Sequence, residues 1–413
     1  MKRRSNDSKC LDIRRWSLTL AFVAFSSLGL AENLQAAQVI GLGSLPGLPR
    51  SAALDVSADG KVVVGYSLVE GTGIRWAQDP VSAFRWTLES GMEPLGTLDG
   101  HELSYARAVS ADGRTIVGES WDADVCCFQI GEAFISNDTG MVGLGGLMEV
   151  PFGSGAYDVS ADGSRVIGRS STVIAGFGET TSGFTWTREN SIDAIGPMPG
   201  TAGSVAYSIS DDGTRIVGRS GELIWLRDEA DAALTEIGTV FTNGGNGRPK
   251  ISRDDSTIIG TRQRTQGSTD RVPFRWTDDA GVESLRGWST TGDSYVTALS
   301  HDGELVFGWN WETEANLIWS SATGPLDLFD VLSTEHGLAG QLQEWEWFDV
   351  HGLSVDNRTL VGTGYRNGSQ EAMVVSLDRP ILAVPEPTCQ SLSIQLMMLL
   401  MLRAHRSRRS EKC

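Results

Sequence analysis

The sequence has 413 residues, a formal net charge of −18 from 52 acidic and 34 basic side chains, and 49 glycines. Between residues 38 and 388 the imbalance steepens to 48 acidic against 23 basic; a surface of that sign repels phosphate backbones, which sets aside nucleic acid as a partner and suits solubility outside the cell, basic partners or divalent cations. Abundant glycine, evenly spaced turn signals and few stretches of 3.6-residue period set aside a helical fold and point to an all-β chain.

In chain order, Lys2, Arg3, Arg4, Lys9, Arg14 and Arg15 precede the uncharged run WSLTLAFVAFSSLGL at 16–30, and small residues follow it. This order predicts a signal peptide over 1–37, cleaved after Ala31 or Ala37. A membrane anchor is the alternative, and about fifteen apolar residues fall short of the ~20 that a spanning helix needs. The paired Arg14-Arg15 is compatible with twin-arginine export.

QVIGLGSLPG at 38–47 reads as a strand with no partner before it. VSADG then occurs at 56–60, 109–113 and 159–163, and alignment on its serine extends three copies to seven, anchored at Ser57, Ser110, Ser160, Ser210, Ser252, Ser300 and Ser354. The spacings of 53, 50, 50, 42, 48 and 54 residues match arrays built from one supersecondary unit. Asp-Gly between apolar runs predicts a tight hairpin. Adjacent β-branched pairs such as Val63-Val64 and Ile216-Val217 point to opposite sheet faces, so both faces must be covered. A second hairpin follows in each unit, as in AFRWTLESGMEPLG at 83–96, giving a four-stranded meander.

EAMVVSL at 371–377 ends the series as a third strand lacking a fourth, and the unpartnered strand at 38–47 would complete it. The expected fold is therefore a seven-bladed β-propeller of four-stranded blades over 38–378, closed by the N-terminal strand, which removes exposed sheet edges. A β-helix or open solenoid leaves the split unit unexplained. A Pro-containing linker at 379–391 and an apolar segment with a basic tail at 392–413 complete the chain.

The C-terminal order of Val384-Pro385-Glu386-Pro387, LSIQLMMLLML at 392–402 and RAHRSRR at 403–409 resembles the PEP-CTERM sorting signal of exported bacterial proteins. The resemblance implies export machinery and an exosortase-like processing enzyme as partners, and a C-terminus transiently inserted in the membrane on the way to the surface or exterior. The VSADG hairpin, with Phe84 and Trp86, Phe134, and Phe184 and Trp186 in the strand after it, resembles the repeats of the extracellular HAF family. That resemblance implies an exported repeat protein, with no reaction attached.

Chemistry-bearing constellations are few. Asp55-x-Ser57-x-Asp59-Gly60 and Asp158-x-Ser160-x-Asp162-Gly163 resemble parts of calcium loops, but neither has the closing bidentate glutamate, so hairpin turns are expected and no metal or cofactor. The adjacent Cys126 and Cys127 cannot staple distant segments. His101, His301, His336 and His351 stand in no HExxH spacing, and no GxSxG or Walker sequence occurs, so no catalytic residue is nominated.

Tryptophan carries the site expectation. Trp86, Trp186, Trp225, Trp276 and Trp319 are read as one repeat position packing between blades. Trp76, Trp121, Trp288, Trp309, Trp311, Trp345 and Trp347 fall off that register, in or beside the longer connections that share one face of the ring, and are the candidate ligand-binding set. The leading expectation is a non-enzymatic surface or matrix protein binding extracellular polysaccharide or a surface protein through that face. The rival is a polysaccharide-active propeller enzyme, a lyase or hydrolase.

Overall fold

The computed structural model describes residues 36–69, 80–122, 131–148, 153–174, 178–230, 232–239, 248–264, 270–288 and 293–382. The expected signal peptide up to residue 35, Trp76, the Cys126-Cys127 pair and the sorting signal from residue 383 lie outside them. The described strands form seven four-stranded antiparallel sheets. In the first blade Arg50–Val56, Val63–Leu68, Val81–Thr87 and Gly91–Pro94 run from the central axis outward. In the seventh, Trp345–Leu353, Thr359–Arg366 and Ser369–Ser376 come from the end of the chain, and Gln38–Gly41 supplies the outer strand, Gln38 opposite Ser376 and Gly41 opposite Met373. The chain is a seven-bladed β-propeller closed by its N-terminal strand.

The repeated serine and aspartate build the inner hairpins. Ser57 Oγ donates to Asp59 Oδ1 at 2.7 Å and accepts from the Val62 amide at 3.0 Å, while the Lys61 amide donates to Asp59 Oδ1 at 3.1 Å. The same closed circuit recurs at Ser110 with Asp112, Ser160 with Asp162, Ser210 with Asp212, Ser252 with Asp254, Ser300 with Asp302 and Ser354 with Asp356. One carboxylate oxygen of each turn aspartate, Oδ1, is thus bonded within the turn. Gly60, Gly113, Gly163, Gly213 and Gly303 take positive φ, as do Asp255 and Asn357 in the two turns that lack the glycine. The turns also stitch blades together: the Ala58 amide bonds the Ala111 carbonyl, Ala111 that of Ala161, Ala161 that of Asp211, Asp211 that of Arg253, and Val355 that of Ala58.

The glycine after each apolar pair has a different cause. Six of the seven inner strands carry a register shift where they meet their neighbour, at Leu54, Arg107, Tyr157, Tyr207, Thr297 and His351. A bulge pushes backbone toward the partner strand; a side chain at Gly65, Gly118, Gly168, Gly218, Gly308 or Gly362 would collide with the inner-strand carbonyl opposite. An aromatic ring fills the space the glycine leaves: Phe84 opposite Gly65, Phe134 opposite Gly118, Phe184 opposite Gly168 and Phe274 opposite Gly260.

In the fourth blade that partner is Trp225, opposite Gly218, which corrects the expected alignment. Trp86, Trp186, Trp276 and Trp319 share the position facing the first residue of the apolar pair, which in the fourth blade is Arg227 facing Ile216. Trp225 is fully buried, Trp86 and Trp319 are nearly so, and Trp186 and Trp276 pack half-buried on their clusters.

Two helices join the sixth and seventh blades, α1 (Leu328–Glu335) and α2 (Ala339–Leu342), in a segment where the sequence predicts strands and turns and no helix. Asp327 caps α1 by accepting from the Asp330 amide at 3.1 Å, and Leu328, Val331 and Leu332 make a buried stripe. The stripe joins a core that holds Trp345, Phe348 and Ile381. Among the described residues no helix is long and apolar enough to cross a membrane.

Candidate functional site in the central channel

The seven inner strands surround a cavity of about 430 Å³ on the propeller axis, within the usual range of small-molecule sites. The bulges set its wall, since the extra residue in each of the six bulged strands is re-aimed out of the blade-to-blade packing. The wall therefore changes chemistry from blade to blade although the scaffold repeats.

At the end nearest the inner hairpins, charged groups tie five blades together. The Arg253 guanidinium lies 3.3 Å from Asp158, 3.6 Å from Asp55 and 3.8 Å from Asp211, and His301 Nε2 stands 3.1 Å from Asp211. Asp55 also accepts from the Val109 amide of the next blade at 2.9 Å, and Asp158 from the Ile209 amide at 3.0 Å. The leading aspartates of the calcium-like stretches thus turn away from the Ser-Asp circuits and into the channel. Burial raises the Asp55 carboxyl above its ordinary range against the pull of Arg253.

Toward the opposite end an arc of rings and guanidinium groups lines one side. Tyr66 stacks on Tyr105 with centroids 4.1 Å apart, and Arg107 lies between Tyr105 and Tyr157, 4.5 and 4.7 Å from their centroids. Tyr157 stacks on Tyr207 at 5.7 Å, and the exposed Arg248 leans over both, at 5.2 and 5.5 Å. Behind the arc Glu119 pairs closely with Arg107 and lies 3.7 Å from Arg169, whose Nε donates to Tyr157 Oη at 2.6 Å. Burial would raise the Glu119 carboxyl, but Arg107 and Arg169 hold it below the usual carboxylate range.

Across the channel, Lys250 Nζ donates to the His351 carbonyl at 3.0 Å, and burial lowers the ammonium pKa. His351 Nδ1 donates to the Ala53 carbonyl at 2.8 Å, which fixes the tautomer with Nε2 unprotonated, and burial lowers its pKa. Asp349 accepts from Asn316 Nδ2 at 3.0 Å and Tyr295 Oη at 3.4 Å; burial raises its pKa. The channel thus offers stacking surfaces, cations and hydroxyl acceptors within one enclosure.

The tryptophan set does not form one platform. Trp311 is exposed and meets Trp309 edge-on at 5.7 Å; Trp347 stacks on Tyr365 at 6.1 Å. Trp121 is half-buried against the cluster that contains Tyr66. Trp288 and Trp345, 2% and 5% exposed, are core side chains, so their off-register positions reflect packing under the connections rather than display to a ligand. The channel arc was missed because its tyrosines and arginines share no repeated letter. The available signal was the position three before each repeated serine, where Leu54, Arg107, Tyr157, Tyr207, Pro249, Thr297 and His351 stand.

No family model matches the chain. No curated protein matches it either. Solved structures similar to it include an oligogalacturonate lyase in complex with manganese, 10% identical with a TM-score of 0.49 over 83% of this chain and 97% of that one. The Cps50 (Swd1) β-propeller domain from Myceliophteria thermophila is also 10% identical, with a TM-score of 0.47 over 82% and 98%. TolB from Acinetobacter baumannii is 12% identical, with a TM-score of 0.38 over 78% and 82%. The fold assignment rests on the sheet topology.

Proposed function

We propose that the chain is an exported, non-enzymatic binding protein of a bacterial surface or extracellular matrix, and that its ligand is a carbohydrate seated in the central channel. The tyrosine–arginine arc carries this reading. Stacked rings with amphipathic character offer large contact area to the apolar face of a sugar at low entropic cost, and Asp349 and Asp211 accept hydrogen bonds from hydroxyl groups. A cavity of about 430 Å³ admits a small ring-shaped ligand and not a protein surface, which favours carbohydrate over the protein partner also expected. The apolar run at 16–30 and Val384-Pro385-Glu386-Pro387 support export and processing by an exosortase-like enzyme.

A glycan-array screen of the purified protein tests the reading: binding lost in Tyr157→Ala with Tyr207→Ala, in a variant that still unfolds cooperatively, is the expected result, and the absence of any glycan ligand refutes it. A polysaccharide-active enzyme is the second reading, favoured by the half-buried Asp349, His351 and Lys250 facing the cavity. Incubating bound glycans with the protein separates the two, since new reducing ends or unsaturated products appear only under catalysis.

A further inference from the structure

The channel wall distributes its charges unevenly. Arg253 is matched by Asp55, Asp158 and Asp211, and Arg107 by Glu119. Lys250 already commits one of its three N–H donors to the His351 carbonyl. Arg248 differs: among the described residues no carboxylate stands within ion-pair distance, and its contacts are the faces of Tyr157 and Tyr207. Glu119 feels Arg248 only weakly, behind its nearer partners Arg107 and Arg169. In a chain with 52 acidic and 34 basic residues, an exposed guanidinium held over two rings at a cavity wall is positioned for an anion brought from outside. Planar guanidinium binds carboxylate through two parallel hydrogen bonds while its face remains on the rings.

We infer that the channel selects acidic saccharides, with a uronate carboxylate on Arg248 and its pyranose ring against the tyrosine arc. This rests on the carbohydrate reading above and adds the ligand's charge. A single carboxylate fits better than a phosphate, because one uncommitted guanidinium faces a cavity that also holds Asp55, Asp158, Asp211 and Asp349, and those carboxylates repel a dianion while accepting bonds from sugar hydroxyls.

The test is calorimetric titration of the purified full-length chain with trigalacturonate, its methyl ester, a mannuronate trisaccharide and inorganic phosphate, on wild type, R248Q and R248K. At least one acidic trisaccharide binds about tenfold or more tighter than the neutral ester, and R248Q loses about that factor. R248K retains part of it, both variants melt as wild type does because residue 248 is exposed, and phosphate does not compete. Equal binding of ester and acid, undiminished binding by R248Q, or competition by phosphate overturns the inference. If neither acid binds while neutral glycans do, the charge selection falls and the carbohydrate reading stands; if nothing binds, both fall.

Discussion

Replacing Trp225 by alanine removes the largest fully buried side chain among the described residues. The ring lies opposite Gly218 and packs in one cluster with Ile167, Ile209 and Ile216, each itself buried. Gly218 has no side chain to swing into the hole, and the Val205 carbonyl crowds the place where one would stand. Relaxation is therefore small, and the cost belongs in the upper part of the ~3–5 kcal/mol range for such truncations. Trp225→Phe installs the residue that four other blades place opposite the same glycine, so it costs only about 1–2 kcal/mol. Trp345→Ala behaves like Trp225→Ala, because Trp345 is 5% exposed in a core cluster, whereas Trp311→Ala, at 52% exposure, stays within about 0.5 kcal/mol. Urea unfolding followed by circular dichroism reads each change as a shift in midpoint at constant slope. A loss below about 1 kcal/mol for Trp225→Ala, or equal damage from Trp225→Phe, refutes the ring-over-glycine account.

Three further outcomes are expected. Hydrogen bonds from the Ser110 and Ser160 hydroxyls hold the Asp112 and Asp162 carboxyls below their ordinary range, so the stability they contribute is complete above about pH 4 and is lost as pH falls through their folded-state values. Asp112→Asn with Asp162→Asn flattens that acid limb by giving up the same increment at neutral pH, and pH-dependent melting curves identical to wild type contradict the assignment. Asn357 holds φ 56° and its buried Oδ1 lacks a hydrogen-bond partner, so Asn357→Gly raises the melting temperature, and a lower one argues against the turn analysis. A chain beginning at residue 48 loses Gln38–Gly41 and exposes the Ser369–Ser376 edge; aggregation or loss of cooperative unfolding is expected, and a monomer with unchanged melting defeats ring closure.

The propeller was legible because its determinants are local and repeated. Each Ser-x-Asp circuit closes within six residues, and an unpartnered strand at one end with a three-stranded unit at the other implied closure. Trp225 was misaligned because its blade puts tryptophan where four others put phenylalanine, a two-residue shift that leaves the alternation of faces intact. The helix at Leu328–Glu335 escaped notice because its Asp327 cap and short apolar stripe follow a strand without interruption. The channel was not legible as a site: Tyr66, Tyr105, Arg107, Tyr157, Tyr207 and Arg248 come from five blades and meet only through ring closure and the bulges.

The seat of the ligand is the point on which the functional account turns, and hydrogen exchange with and without the acidic trisaccharide tests it most directly. Slowed exchange over 103–109, 154–159 and 205–209, the strands that carry Tyr105, Tyr157 and Tyr207, is the predicted result. Slowing confined to 306–314 around Trp309 and Trp311, with the inner strands of the second, third and fourth blades unchanged, would contradict it.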